Sequence, residues 1–370
     1  MTAIQGEESV ALTPERSASG VQRLLVYLLA LAAVVGVLVL VLLIVDVDPI
    51  AAWRSMWNST FGTKRNFGET LVRATPLLLV AVTLVPSLRA GLYNLGAPGQ
   101  LASGALVATY LALHLGDVPG IVSVLVCGIS AGVVGALVGA IPGWFKARFE
   151  VNEIISTIAV NFIVLSVLGW LLNGPFKGGY ANLPQSEQVP PNATLPVILS
   201  DTRAHVGLFL ALAFVVILWA MDRSRIGYRL RLFSANAHLA RQAGIGRQRY
   251  IIGLMALGGM GAGLAGWMQV VVIDQRLYPT VAEPVGYAGL FVALLGGLNP
   301  FGCIAAAFGL GALLHGGDGL QIGANVSPEI IEVILGLILL AYACLGGWSA
   351  KHANTNTVRR SRRWTSWKRS

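Results

Sequence analysis

Long apolar runs separated by short polar stretches fill the chain. Leu24 to Val45 gives 22 residues without a charge, where a bilayer core needs about 20. Further runs lie near 69–90, 99–115, 120–141, 154–172, 205–221, 250–273, 286–298, 301–316 and 328–347. The pattern predicts an all-α polytopic membrane protein of about ten spanning helices. The run at 286–298 is too short to cross alone and needs flanks sheltered by protein. The first run exceeds a signal-peptide core, and no small-residue cleavage site comes after it, so it reads as an uncleaved span. The chain divides into an N-terminal tail 1–23, a membrane domain 24–348 and a tail 349–370.

Composition agrees with this pattern. Of 370 residues, 55% are hydrophobic and 12% charged, with a mean hydropathy of +0.70. A soluble domain carries roughly twice that charged fraction, which excludes a soluble enzyme. Lys and Arg number 26 against 17 acids, and their positions set the orientation. With the N-terminus in the cytoplasm, 19 basic residues fall inside and 6 outside, and Arg73 lies within a span. Both termini are therefore expected in the cytoplasm. The tail carries seven Lys/Arg with Trp364 and Trp367, a pattern of headgroup anchoring rather than nucleic-acid binding. Cys127, Cys303 and Cys344 all sit in apolar runs, so neither a disulfide framework nor a metal site is expected. Gly132, Gly135 and Gly139, and likewise Gly259, Gly263 and Gly266, recur three or four apart. Such spacing lets helix backbones approach closely.

Two polar interruptions stand out. In Tyr93-Asn-Leu-Gly-Ala-Pro-Gly-Gln-Leu101 a proline and glycines break apolar sequence. The segment reads either as a broken helix beside a cavity or as a tight cytoplasmic turn. The cytoplasmic loop 222–249 holds seven arginines against one acid, Asp222. Within it Ser234 is an N-cap candidate, the interior through Asn236, Ala240, Arg241 and Ala243 is Ala-rich, and Gly244 is a C-terminal stop. This predicts a short extramembrane helix over 234–244 with Ala240 and Ala243 on one smooth face. Outside, the loop 173–204 holds Pro184, Pro190, Pro191 and Pro196 among its five prolines and is mostly extended, serving as lid, docking surface or spacer.

The residues Asn94-Leu-Gly-Ala-Pro-Gly-Gln100, followed by Gly104-Ala105, resemble a signature of permease subunits in ATP-binding-cassette importers for simple sugars, branched-chain amino acids and nucleosides. Ala237 through Ala240-Arg241 to Gly244-Ile245 resembles that family's cytoplasmic coupling helix. Glu153-Ile-Ile-Ser-Thr157 with Asn161 resembles the nucleoside branch, and Leu294-Leu-Gly-Gly-Leu-Asn-Pro-Phe-Gly302 its late glycine-rich turn. The similarity runs over most of 70–347, and Pro98 departs from the residue type expected there. The resemblance implies a pore subunit in a bacterial cytoplasmic membrane that carries no cofactor. ATP-Mg is expected in separate ATPase subunits, with a second permease chain and an extracytoplasmic substrate-binding (lipo)protein as partners. None of the five lysines ends a phosphate-loop motif.

Neutral polar residues within spans suit an uncharged solute. Asn94, Gln100, Ser156, Thr157, Asn161, Trp267 and Gln269 are the pathway candidates, with helix-to-helix hydrogen bonding as the alternative for the polar ones and packing for Trp267. Ser234, Asn236, Ala240, Arg241, Ala243 and Gly244 are the ATPase-coupling candidates. Nucleosides are the expected cargo. The alternatives are ribose-like sugars or branched-chain amino acids, or an ATP-independent secondary transporter or channel.

Overall fold

The computed structural model describes residues 36, 39–40, 42–44, 47–179, 183–235, 244, 246–324, 333, 336–337 and 340. The chain ends, 1–49 with 332–370, form one unit. The body Ile50–Ile331 forms a second, and it holds almost all of the described helical residues.

Ten α-helices are described: α1 Pro49–Phe61, α2 Lys64–Arg89, α3 Ala97–His114, α4 Gly120–Phe149, α5 Glu153–Asn173, α6 Gly207–Arg223, α7 Arg225–Ala235, α8 Arg247–Met268, α9 Glu283–Leu295 and α10 Pro300–Ala324. Among the described residues the only β pairing is an isolated bridge, Val197 to His205. Local sequence sets several ends. Thr63 caps α2 by accepting from the Asn66 N–H at 3.1 Å, and Asn152 caps α5 by accepting from Ile154 N–H at 2.9 Å. Pro98 lies in the first turn of α3, where its missing N–H costs nothing. The segment 94–100 is therefore a turn leading into a helix start. The bent helix lies elsewhere: α6 and α7 meet at 72° across Ser224.

Among the described residues five helices are long and apolar enough to span a membrane, or six if α6 and α7 count as one bent span. This is fewer than the ten expected, for physical reasons. Most of the first and last runs lie outside the described residues. Helix α9 has 13 residues, in keeping with its short apolar run. Helix α3 has 18, and carries Gln100, Ser103 and Thr109, all buried. A helix wrapped by protein is not selected for lipid compatibility. The two most apolar spans, α4 and α5, are the least enclosed, with 33% and 17% of their windows buried, against 89% for α2.

Helices α3, α4 and α8 are joined by a glycine seam, across which Gly135 and Gly139 of α4 face Gly259 and Gly263 of α8. A Cβ added at Gly259 would lie 2.2 Å from the Gly135 carbonyl oxygen, and one at Gly263 would lie 2.2 Å from that of Ala131. On the other side of α8, a Cβ at Gly266 would lie 2.1 Å from the Leu101 carbonyl oxygen. The backbones touch with no side chain between them. Helix α8 then continues as a six-residue π-helical segment, Gln269–Asp274.

The described parts of the loop between α5 and α6 form an ordered strap. Ser186 N–H donates to Leu277 O and its Oγ accepts from Leu277 N–H, both at 2.9 Å, and Val189 N–H donates to Gln275 O at 2.9 Å. Lys64 Nζ reaches Ser200 Oγ at 2.9 Å, and Arg203 grips the Glu69 carboxylate through two nitrogens at 2.8 and 2.5 Å. Glu69 is largely buried, whereas Arg203 is half exposed and can turn to water. Glu69→Gln is therefore expected to cost about 1 kcal/mol, which is about fivefold more strap opening. Limited proteolysis within 183–206 should speed up by that factor with helical content unchanged.

Candidate functional site

The turn between α2 and α3 gathers three of the pathway candidates. Asn94 and Gln100 exchange amide hydrogen bonds, Asn94 Nδ2 to Gln100 Oε1 at 3.1 Å and Gln100 Nε2 to Asn94 Oδ1 at 3.0 Å. Asn94 Oδ1 also accepts from Gly96 N–H at 2.9 Å. From α5, Asn161 closes the arrangement: its Oδ1 accepts from Gly99 N–H at 2.9 Å and its Nδ2 donates to Leu95 O at 2.8 Å. Asn94 and Gln100 are wholly buried and Asn161 nearly so. Buried amides in this setting must be satisfied, and here protein groups satisfy them. The three side chains fix the turn and bolt it to α5.

The other four candidates lie apart from this network. Ser156 and Thr157 are buried on α5, and their hydroxyls donate to the Glu153 carbonyl of the same helix at 3.2 and 2.7 Å. Trp267 is buried with its ring against Gly128 of α4, and its Nε1 has no hydrogen-bond partner. Gln269 opens the π-helical segment. Its Nε2 donates to Asp274 Oδ2 at 3.1 Å, five residues on, while its Oε1 is unpartnered. An i to i+5 side-chain pair is what π geometry aligns, and π segments recur at functional sites. Asp274 is not among the sequence candidates, because it sits near the end of an apolar run. Its position five residues after Gln269 is the one signal that marks it.

Charged residues cluster at both helix-bundle ends. At one end, a cavity of about 430 Å³ is lined by Arg65, Asn66, Glu69, Arg73, Arg203, His315, Asp318 and Ile322. Arg73 there pairs with Asp318, joining α2 to α10. At the other end Arg89, the last residue of α2, pairs with Asp222 at the end of α6. Arg89 Nε donates to Leu298 O at 2.9 Å, and the Arg89 carbonyl accepts from Ser234 Oγ at 2.5 Å. Arg231 of α7 donates to Asp222 O at 2.7 Å. Beside them Leu230 and Phe233 of α7 pack on Leu92, Ile251, Leu254 and Met255. Lys146–Glu153 at 2.9 Å and Arg247–Glu150 at 2.7 Å belong to this same end. The Arg247 guanidinium holds the exposed Glu150 carboxyl below the usual range. Within each end the contacts join segments that the charge count assigns to the same side, 64–73 with 200–203 and 318 at one end, and 89–92 with 222–234 and 298 at the other.

Of the coupling candidates, Ser234 lies in the last turn of α7, a helix that begins at Arg225, ahead of the stretch expected to be helical. Gly244 occupies a turn at φ +72°, the left-handed conformation a helix stop needs. Asn236, Ala240, Arg241 and Ala243 lie outside the described residues. Among the described residues no group of three or more His, Cys, Asp or Glu could hold a metal ion.

Known proteins resemble this chain over most of its length. A glucose ABC transporter permease protein, TsgB13 of Haloferax volcanii, is 31% identical over 323 residues, covering 84% of each chain. The guanosine ABC transporter permease protein NupP of Bacillus subtilis is 31% identical over 327 residues, 86% of this chain and 93% of NupP. The nucleoside ABC transporter permease protein NupB of Lactococcus lactis is 28% identical over 314 residues, 82% of this chain and 86% of NupB. The family described as branched-chain amino acid transport system / permease component matches residues 66–343. That span takes in the bolted turn, the glycine seam and both charged ends, and the chain is a multi-pass membrane protein of this ABC permease family.

Proposed function

We propose that the chain is a pore-forming permease subunit of an ATP-driven nucleoside importer. The observation that supports this most is the likeness to the guanosine permease NupP across 93% of that protein. The bolted turn 94–100 and the polar face of α5 at Ser156, Thr157 and Asn161 lie in the segments that resemble the nucleoside branch. In this reading the chain has ten spans and both termini in the cytoplasm of a bacterial cell. ATP-Mg is bound and hydrolysed by partner ATPase subunits, which engage the helix over 234–244. A second permease chain completes the pore, and an extracytoplasmic binding protein delivers the solute. Trp267, Gln269, Ser156 and Thr157 face the pathway, while Asn94, Gln100 and Asn161 hold its inner turn in shape.

A sugar is the second reading, because the glucose permease TsgB13 matches at the same 31% identity. Uptake of labelled guanosine into vesicles holding the complete complex tests both. The expected result is uptake that requires ATP and binding protein and is competed by nucleosides but not by glucose or ribose. Competition by glucose alone would favour the sugar reading, and uptake without ATP would overturn the importer.

A further inference from the structure

Three chain segments converge on Arg89, and each reaches it through a different atom. Its guanidinium pairs with Asp222 of α6 and donates to Leu298 O in the turn between α9 and α10. Its carbonyl accepts from Ser234 of α7, and Arg231 of α7 ties down the backbone of Asp222. Leu298 itself sits at φ +54°, next to Gly297 at +63°, so its carbonyl is aimed at Arg89 by a backbone that a non-glycine residue rarely adopts. A cavity of about 270 Å³ beside them is lined by Arg89, Asp222, Leu230, Arg231 and Ser234, which leaves room for the cluster to rearrange. Pro86 stands three residues before Arg89 within α2. Proline removes one backbone hydrogen bond and crowds the preceding turn, so the last turn of α2 can swing on the rest.

Helix α2 is well placed to carry such a swing. It is the most enclosed of the spans, and its 26 residues extend roughly 39 Å. Its far end holds Glu69 and Arg73, partners of the strap residue Arg203 and of Asp318 on α10. We propose that Arg89 is a positioning residue that relays movement of α7 into α2, and so to the strap and α10 contacts at the opposite end. The inference rests on the importer reading, in which α7 leads directly into the segment that the ATPase moves.

The test uses the full complex in vesicles, measuring basal ATPase, ATPase stimulated by solute-loaded binding protein, and uptake. Arg89→Ala and Asp222→Asn should each cut stimulated ATPase and uptake about tenfold or more, while basal ATPase stays within about twofold. A merely structural contact would lower all three together. The exchange Arg89→Asp with Asp222→Arg restores the pair in reverse and should recover at least a third of wild-type stimulation. Single variants that transport within twofold of wild type would overturn the relay, as would an exchange variant no better than either single one. The wild-type complex run in parallel separates the two failures. Wild-type uptake without ATP sinks the importer reading, whereas ATP-dependent wild-type uptake with unimpaired variants sinks the relay alone.

Discussion

Gly263→Val is expected to abolish the folded protein. A Cβ at position 263 would stand 2.2 Å from the Ala131 carbonyl oxygen and 3.0 Å from Gly135 Cα, and both obstacles are backbone. On the opposite face the Gly263 carbonyl already fills the space where a Cβ on Gly104 would go, at 2.4 Å. Helix α8 therefore cannot retreat from α4 without running into α3. Overpacking against side chains costs about 1–3 kcal/mol because rotamers yield; here nothing can yield, and the cost lies at the top of that range or above. The measurement is the yield of monodisperse protein from detergent, with the thermal midpoint of whatever survives. Gly253→Ala on the same helix is the control, because nothing lies within 4 Å of its Cβ. It should be neutral, or stabilising by up to about 1 kcal/mol through helix propensity. Normal yield and midpoint for Gly263→Val would mean that these helices do not touch.

The second large effect belongs to Asn161→Leu. The leucine fits the volume but strands the buried Gly99 N–H and the part-buried Leu95 carbonyl. An unsatisfied buried backbone group costs about 1–3 kcal/mol, although polar contacts inside membranes average less. The expected loss is roughly 2–4 kcal/mol, read as a lowered thermal midpoint. Ser156→Ala makes the contrast, since that hydroxyl only donates back to its own helix at Glu153. Its midpoint should move little, so any loss of solute uptake by the complex would report contact with solute. Equal midpoints for the two variants would show that Asn161 does not bolt the turn.

Much of this architecture is legible in the sequence. The glycine spacing at 132, 135 and 139 and at 259, 263 and 266 identifies the seam, because close backbone contact has a one-residue-type signature. The polar islands at 94–100 and 153–161 name residues that prove to be hydrogen-bonded partners. Pairing is what a sequence does not convey. Asn161 joining Leu95 and Gly99 is a tertiary fact, as is Arg89 meeting Asp222 across 133 positions. The lone acid of the arginine-rich loop is the only trace of that pair. The span count is blurred for a different reason. Apolarity records exposure to lipid, so it marks α4 and α5 at the periphery and is weaker in α3, whose polar side chains are sheltered by its neighbours.

The seam also limits how the molecule can move. Two helices separated by side chains can slide by exchanging ridges between grooves, each step about one turn. Where Gly135 meets Gly259 and Gly263, helices α4 and α8 have no side chains between them, and the side chains of Leu264 and Met255 flank that contact at Gly132 and Gly143, so a one-turn slip would drive one of them into it. The pair is kinematically one body. Its remaining freedoms are rotation as a unit and bending at Pro142 of α4 or along the π segment that extends α8. Helices that move around this pair would shift past it as a block, with α4 and α8 staying together.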